Sequence, residues 1–151
     1  MLKLKIPPVV VFLICIGLMW GINHFIPNQT LLFEYRKIIV FVLMSLGGVI
    51  GILGLLEFAR KSTTVNPHKP QNTKNFVRSG VYRFTRNPMY LGLLIVLLSP
   101  VFYWGNLLTV ISLPVFIWYM NEFQIKPEEE IMEQKFGDDF LEYKKEVRRW
   151  V

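Results

Sequence analysis

Long apolar runs separated by polar breaks dominate the chain. The first covers about 7–25 and the second about 38–58. Each is near the roughly 20 residues that cross a hydrocarbon core of about 30 Å. A polar segment, 60–87, follows, and apolar sequence then resumes at Pro88 and continues to about Phe123. That is too long for one crossing at 1.5 Å per residue. Pro100, Gly105 and Asn106 punctuate the run. It therefore divides into a third span, about 88–103, and a fourth, about 107–123, paired as a tight hairpin. The third span is short, which suits a small tilt or a start inside the interface. The pattern predicts an all-α integral membrane protein, one domain over 1–151 with about four spans.

The tail, 126–151, is polar with an apolar stripe. Pro127 suits a first helical position, and Glu128, Glu129 and Glu130 would fill the first turn, where the positive helix end favours them. Ile131, Met132, Phe136, Phe140, Tyr143 and Val147 recur at helical steps, with Gly137 as a break. This predicts a cytosolic amphipathic helical segment that lies on the membrane surface or docks on the helix ends. Trp150 suits an interfacial anchor. In the second span, Gly47 and Gly51 form a small-xxx-small step, read as packing within the chain rather than as a dimer seam.

Composition supports the membrane reading. Hydrophobic residues make up 52% of the chain, and the net charge is +6. The basic residues flank the apolar runs, so topology and anionic lipid explain them better than nucleic acid does. The segment 60–87 holds Arg60, Lys61, Lys69, Lys74, Arg78, Arg83 and Arg86 and no acid. The positive-inside rule places it, both termini and the tail in the cytoplasm. Lys3 and Lys5 before an apolar run resemble a signal peptide, but no small-residue cleavage site follows, so the run reads as a retained span. The single cysteine, Cys15, excludes a disulfide framework and a cysteine metal cluster. No other metal-ligand spacing is present.

Two clusters carry candidate chemistry. The first is 79–92, where the basic segment meets the third span. Asn87 before Pro88 fits a helix cap, and helix N-termini attract anionic groups. Arg83 and Arg86 add bidentate positive charge, and Tyr90 lies one turn into the helix. The second cluster is Glu128, Glu129 and Glu130, either helix-end electrostatics or a carboxylate facing the first cluster. Carboxylates suit amines and ribose hydroxyls. Glu57 reads as a partner of Arg60 or Lys61 along its helix. His24 reads as interfacial, and His68 as a loop residue that could cover a pocket.

The string from Gly80 to Gly92, Gly-Val-Tyr-Arg-Phe-Thr-Arg-Asn-Pro-Met-Tyr-Leu-Gly, resembles the signature of the isoprenylcysteine carboxyl methyltransferase and phospholipid methyltransferase superfamily. The tail does too, with Glu128-Glu129, Met132, Phe136-Gly137, Tyr143 and Val147-Arg148-Arg149-Trp150. Thr63 to His68 looks like the prokaryotic branch. The resemblance covers roughly 45–151. It implies a membrane methyltransferase using S-adenosylmethionine, with a membrane lipid or lipidated acceptor and no metal. Gly80, Tyr82, Arg83, Asn87, Tyr90, Glu128 and Glu129 would then bind the cofactor. Arg86, Glu129 and Arg149 would act in catalysis. The eukaryotic prenylcysteine enzymes have histidine where Asn87 stands and a basic residue where Glu146 stands. The acceptor stays open among a carboxylate, an amine and a thiol. Two other readings also stay open: a nicotinamide-dependent membrane lipid reductase, and a non-catalytic membrane subunit.

Overall fold

A computed structural model describes residues 4–28, 31, 34–60 and 77–151. Among these the chain is helical, without strands. Helix α1 spans Pro8–Phe25, α2 Arg36–Arg60 and α3 Pro88–Trp104. A short 3-10 turn, Gly80–Arg83, precedes α3. A second 3-10 turn, Leu107–Ile111, leads into α4, Ser112–Tyr119, and a π-helical turn, Met120–Ile125, leads into α5, Lys126–Phe136. Helix α6, Asp138–Glu146, follows the left-handed Gly137, φ +54°. Two helices, α1 and α2, are long and apolar enough to cross a membrane, and α3 is a shorter apolar helix of 17 residues.

The third helix runs through Pro100 to Trp104, one residue past the expected 103, and stops at Gly105, φ +68°. Gly105 has no Cβ to clash in that left-handed conformation. One expectation changes: Pro127 does not open a new helix. The backbone stays helical from Leu107 through Ile125 into α5, and Ile125 makes no side-chain cap. Glu128 and Glu129 therefore sit inside a continuous helix rather than on a free positive end. The π turn absorbs the proline: Lys126 N–H reaches back to Asn121 O. Pro127 has no N–H to offer the Phe123 carbonyl. The Leu4 N–H donates to that carbonyl instead, at 2.9 Å. The Gln124 amide likewise donates to Ile6 O at 2.6 Å, so the N-terminal segment is fastened to the turn. Trp150 packs on the core and donates to Asn121 Oδ1 at 3.1 Å.

The main core lies among α1, α3 and α4, with Val11, Cys15, Met19, Leu97, Val101, Phe116 and Met120 buried. Helix α2 packs chiefly on α3. They approach closely at Gly47 and Gly92: a Cβ on Gly47 would lie 2.6 Å from Gly92 O, and one on Gly92 2.6 Å from Gly47 O. Most other large side chains of α2 are exposed. The tail stripe folds on itself, with Phe140, Tyr143 and Val147 buried against Met132 and Phe136.

Candidate functional site

The site forms where the segment leading into α3 meets α5 and the residues after α6. Backbone pairing makes the first connection. The Arg86 N–H donates to Arg148 O at 3.0 Å. The Arg149 carbonyl accepts twice, from Thr85 Oγ1 at 3.1 Å and from Asn87 Nδ2 at 3.0 Å. Asn87 occupies the cap position of α3 but does not cap it. Its side chain is committed to the tail, and its own N–H donates to Thr85 Oγ1 at 3.2 Å. That corrects the sequence expectation for Asn87. The Tyr143 hydroxyl completes the join by donating to Tyr82 O at 2.6 Å.

On this frame the two glutamates take different partners. The Tyr90 hydroxyl donates to Glu128 Oε1 at 2.6 Å. Glu128 keeps some accessible surface, yet protein atoms crowd its carboxyl. That burial pushes it up to about 8, the Tyr90 hydrogen bond pulls the other way, and Glu129 beside it pushes it up further. Glu129 is 7% exposed and accepts two hydrogen bonds from Arg149, from Nε at 2.9 Å and Nη2 at 2.7 Å. Arg86 Nη2 lies 3.2 Å from Glu129 Oε1, and Lys144 Nζ 3.9 Å from Oε2. Burial pulls the Arg86 guanidinium below its ordinary value, and Glu129 opposes this. The Glu129 hydrogen bond raises Arg149.

The structure thus brings together Arg86, Asn87, Tyr90, Glu128, Glu129 and Arg149. Tyr82 sits beside them, buried, its ring edge-on to Phe58 at 5.5 Å. Burial pushes its hydroxyl up. Gly80 stands one step back: at φ +58° its absent Cβ leaves room for Glu57, whose Oε1 would lie 2.6 Å from that atom. Arg83 is exposed on the 3-10 turn and joins none of these contacts. Glu57 pairs with Arg60 at 3.2 Å as its spacing suggested, and also accepts from Ser79 Oγ at 2.7 Å. Thr85, Ser79 and Lys144 were not singled out from sequence. Thr85 carried one signal, a small polar residue between Phe84 and Arg86 at the start of a span. Lys61, Lys69, Lys74 and the string from Thr63 to His68 lie outside the described residues.

A family model for phospholipid methyltransferase matches residues 35–139, which include both glutamates and the whole start of α3. The chain belongs to the phospholipid methyltransferase family. Among the relatives of this family member, an uncharacterised protein of Haemophilus influenzae is 46% identical over 63 residues, covering 42% of this chain and all of that protein. The protein-S-isoprenylcysteine O-methyltransferase of Schizosaccharomyces pombe is 27% identical over 107 residues, 65% of this chain. The chain spans 45% of that enzyme's length. No solved structure matches. Family and relative together indicate a methyltransferase of the phospholipid or isoprenylcysteine type, and the apolar helices agree with a membrane protein.

Proposed function

We propose that the chain is an integral membrane enzyme that moves the methyl group of S-adenosylmethionine to a lipidic acceptor at the cytoplasmic face. One observation carries the reading. Within a chain of this family, a cationic and hydroxylic group from the start of α3 converges on the Glu128–Glu129 pair of α5. Four crossings, by α1, α2, α3 and the helix from Leu107, put both termini and the basic 60–87 segment in the cytoplasm, in keeping with the charge bias.

The residues suit the charges of the cofactor. Arg86 keeps Nε and Nη1 buried without a hydrogen-bond partner among the described residues. A carboxylate oxygen can accept from one of them, beside the Nη2 contact with Glu129. Glu128, seated on the Tyr90 hydroxyl and protonated near neutral pH, suits ribose hydroxyls, which ask for hydrogen bonds rather than charge. Tyr82 and Asn87 flank that place, with Gly80 and Arg83 on the approach. When bound, S-adenosylmethionine supplies an electrophilic methyl on a sulfonium. The protein's share is to hold the acceptor in line and keep water out. Arg149 orients an acidic acceptor by leaving Glu129. For an amine acceptor, which attacks only when neutral, Glu129 takes the proton.

Membranes containing the full chain, given methyl-labelled S-adenosylmethionine, should label one lipid fraction. Arg86→Gln should lower that labelling by about 100-fold, the usual scale for lost positioning. No label in any fraction, together with no binding of S-adenosylhomocysteine, would overturn the reading in favour of a non-catalytic subunit. Binding of NADPH instead would favour a reductase.

A further inference from the structure

A polar pocket lies at the far end of the bundle from Asn87. Its volume is about 310 Å³, and it is lined by Asn23, Arg36, Lys37, Val40, Tyr103 and Trp104. These residues come from the end of α1, the start of α2 and the end of α3. Helix α3 rises 1.5 Å per residue over its 17 residues, so the pocket stands some 25 Å from Asn87. It shares no residue with the methyltransferase site.

The lining has a definite chemistry. Arg36 and Lys37 bring two positive charges, and neither has a carboxylate partner among the described residues. Among the described residues no acid lines the pocket. Tyr103, Trp104 and Asn23 add neutral hydrogen-bond donors. The floor is fixed: the buried Asn106 amide donates to Ile26 O at 2.9 Å and to Asn23 Oδ1 at 3.4 Å. Val40 and the Trp104 ring form an apolar wall, and exposed Phe41 and Met44 continue on the same side of α2. Exposed Trp20, Tyr35 and Tyr103 gather at this end, as aromatic residues do at a membrane–water boundary.

We propose that this pocket binds the phosphate of an anionic membrane phospholipid, whose acyl chains run down the apolar face of α2. The phosphate sits between Arg36 and Lys37, with the glycerol against Val40 and Trp104. A free phosphate ion shares the anion chemistry but has no use for the apolar wall. The lipid site is independent of methyl transfer, because it is read by binding and stands whether or not the near end is an enzyme.

The test uses the full chain purified in detergent and exposed to phosphatidylglycerol or phosphatidylcholine, with bound lipid counted by native mass spectrometry. The wild type should retain phosphatidylglycerol roughly 10- to 30-fold better, the effect of two cations beside an anionic headgroup. Arg36→Gln with Lys37→Gln should abolish that preference, while Lys135→Gln with Lys145→Gln, an equal loss of charge elsewhere, should keep it. Val40→Trp fills the pocket without changing charge and should also expel the lipid from protein that elutes as the wild type does. Equal retention of both lipids, or a lipid preference that survives Val40→Trp, would overturn the proposal. So would displacement by inorganic phosphate as readily as by phosphatidylglycerol.

Discussion

Glu128 and Glu129 are adjacent in sequence and opposite in electrostatic circumstance. Glu129 faces three cations, whereas Glu128 faces one hydroxyl. Folded Glu128 holds its proton up to about 8, against an ordinary value of 4.5. Between these two values the folded state binds more protons than the unfolded state, so stability falls as pH rises. Thermal unfolding in detergent should show this decline from pH 5 to 8 in the wild type and lose part of it in Glu128→Gln. An unchanged slope in that variant would assign the decline to other groups. Glu129 answers differently. Removing it strands Arg86, whose side chain is 10% exposed, and uncompensated buried charge costs about 3–5 kcal/mol. Removing Arg149 leaves Glu129 its contacts with Arg86 and Lys144, so Arg149→Ala should cost only about 1.5 kcal/mol. Chemical denaturation of the two variants checks the order; equal costs would mean that Arg149 carries the cluster.

In its second turn α3 crosses α2 backbone to backbone at Gly92 and Gly47, while Gly48 and Gly51 have open space where a Cβ would stand. Gly92→Ala should therefore destabilise by about 1–3 kcal/mol through overpacking. Gly48→Ala should be neutral or stabilise by about 0.5–1 kcal/mol, since alanine is the better helix former. Melting temperatures would separate these outcomes, and a harmless Gly92→Ala would mean that the crossing is looser than it stands. The apolar periods gave away α1, α2 and α3, because helix length in a greasy chain follows directly from the run. The spacing of the small residues also flagged the close approach: a Cβ on Gly92 would meet both Gly47 O at 2.6 Å and Gly51 N at 3.0 Å. What the pattern concealed is the π turn. Pro127 normally signals a helix start, and only the distant Leu4 N–H, satisfying the orphaned Phe123 carbonyl, lets the helix continue. Likewise the motif string named Asn87, Tyr90 and the glutamates, but not who pairs with whom. Thr85 and Lys144 enter through contacts 64 and 15 residues away in sequence, with Arg149 and Glu129, which no local period encodes.

The whole molecule carries its charge unevenly, and this asymmetry makes its orientation testable. Arg83, Arg86, Lys144 and Arg149 cluster at the start of α3 and along the tail, whereas exposed Trp20, Tyr35 and Tyr103 mark the other end. If the basic end faces the cytoplasm, as the bias of arginine and lysine favours, the two ends differ in reach for a thiol reagent that does not cross membranes. The chain suits this measurement, because its one cysteine, Cys15, is 2% exposed in the core and should stay silent. Tyr35→Cys in intact cells should label at once. Glu146→Cys, on the exposed last turn of α6, should label only after the membrane is opened. The reverse pattern would place the Glu128–Glu129 cluster outside, away from cytoplasmic S-adenosylmethionine. The methyltransferase proposal would then lose its cofactor even if every contact within the site were correct.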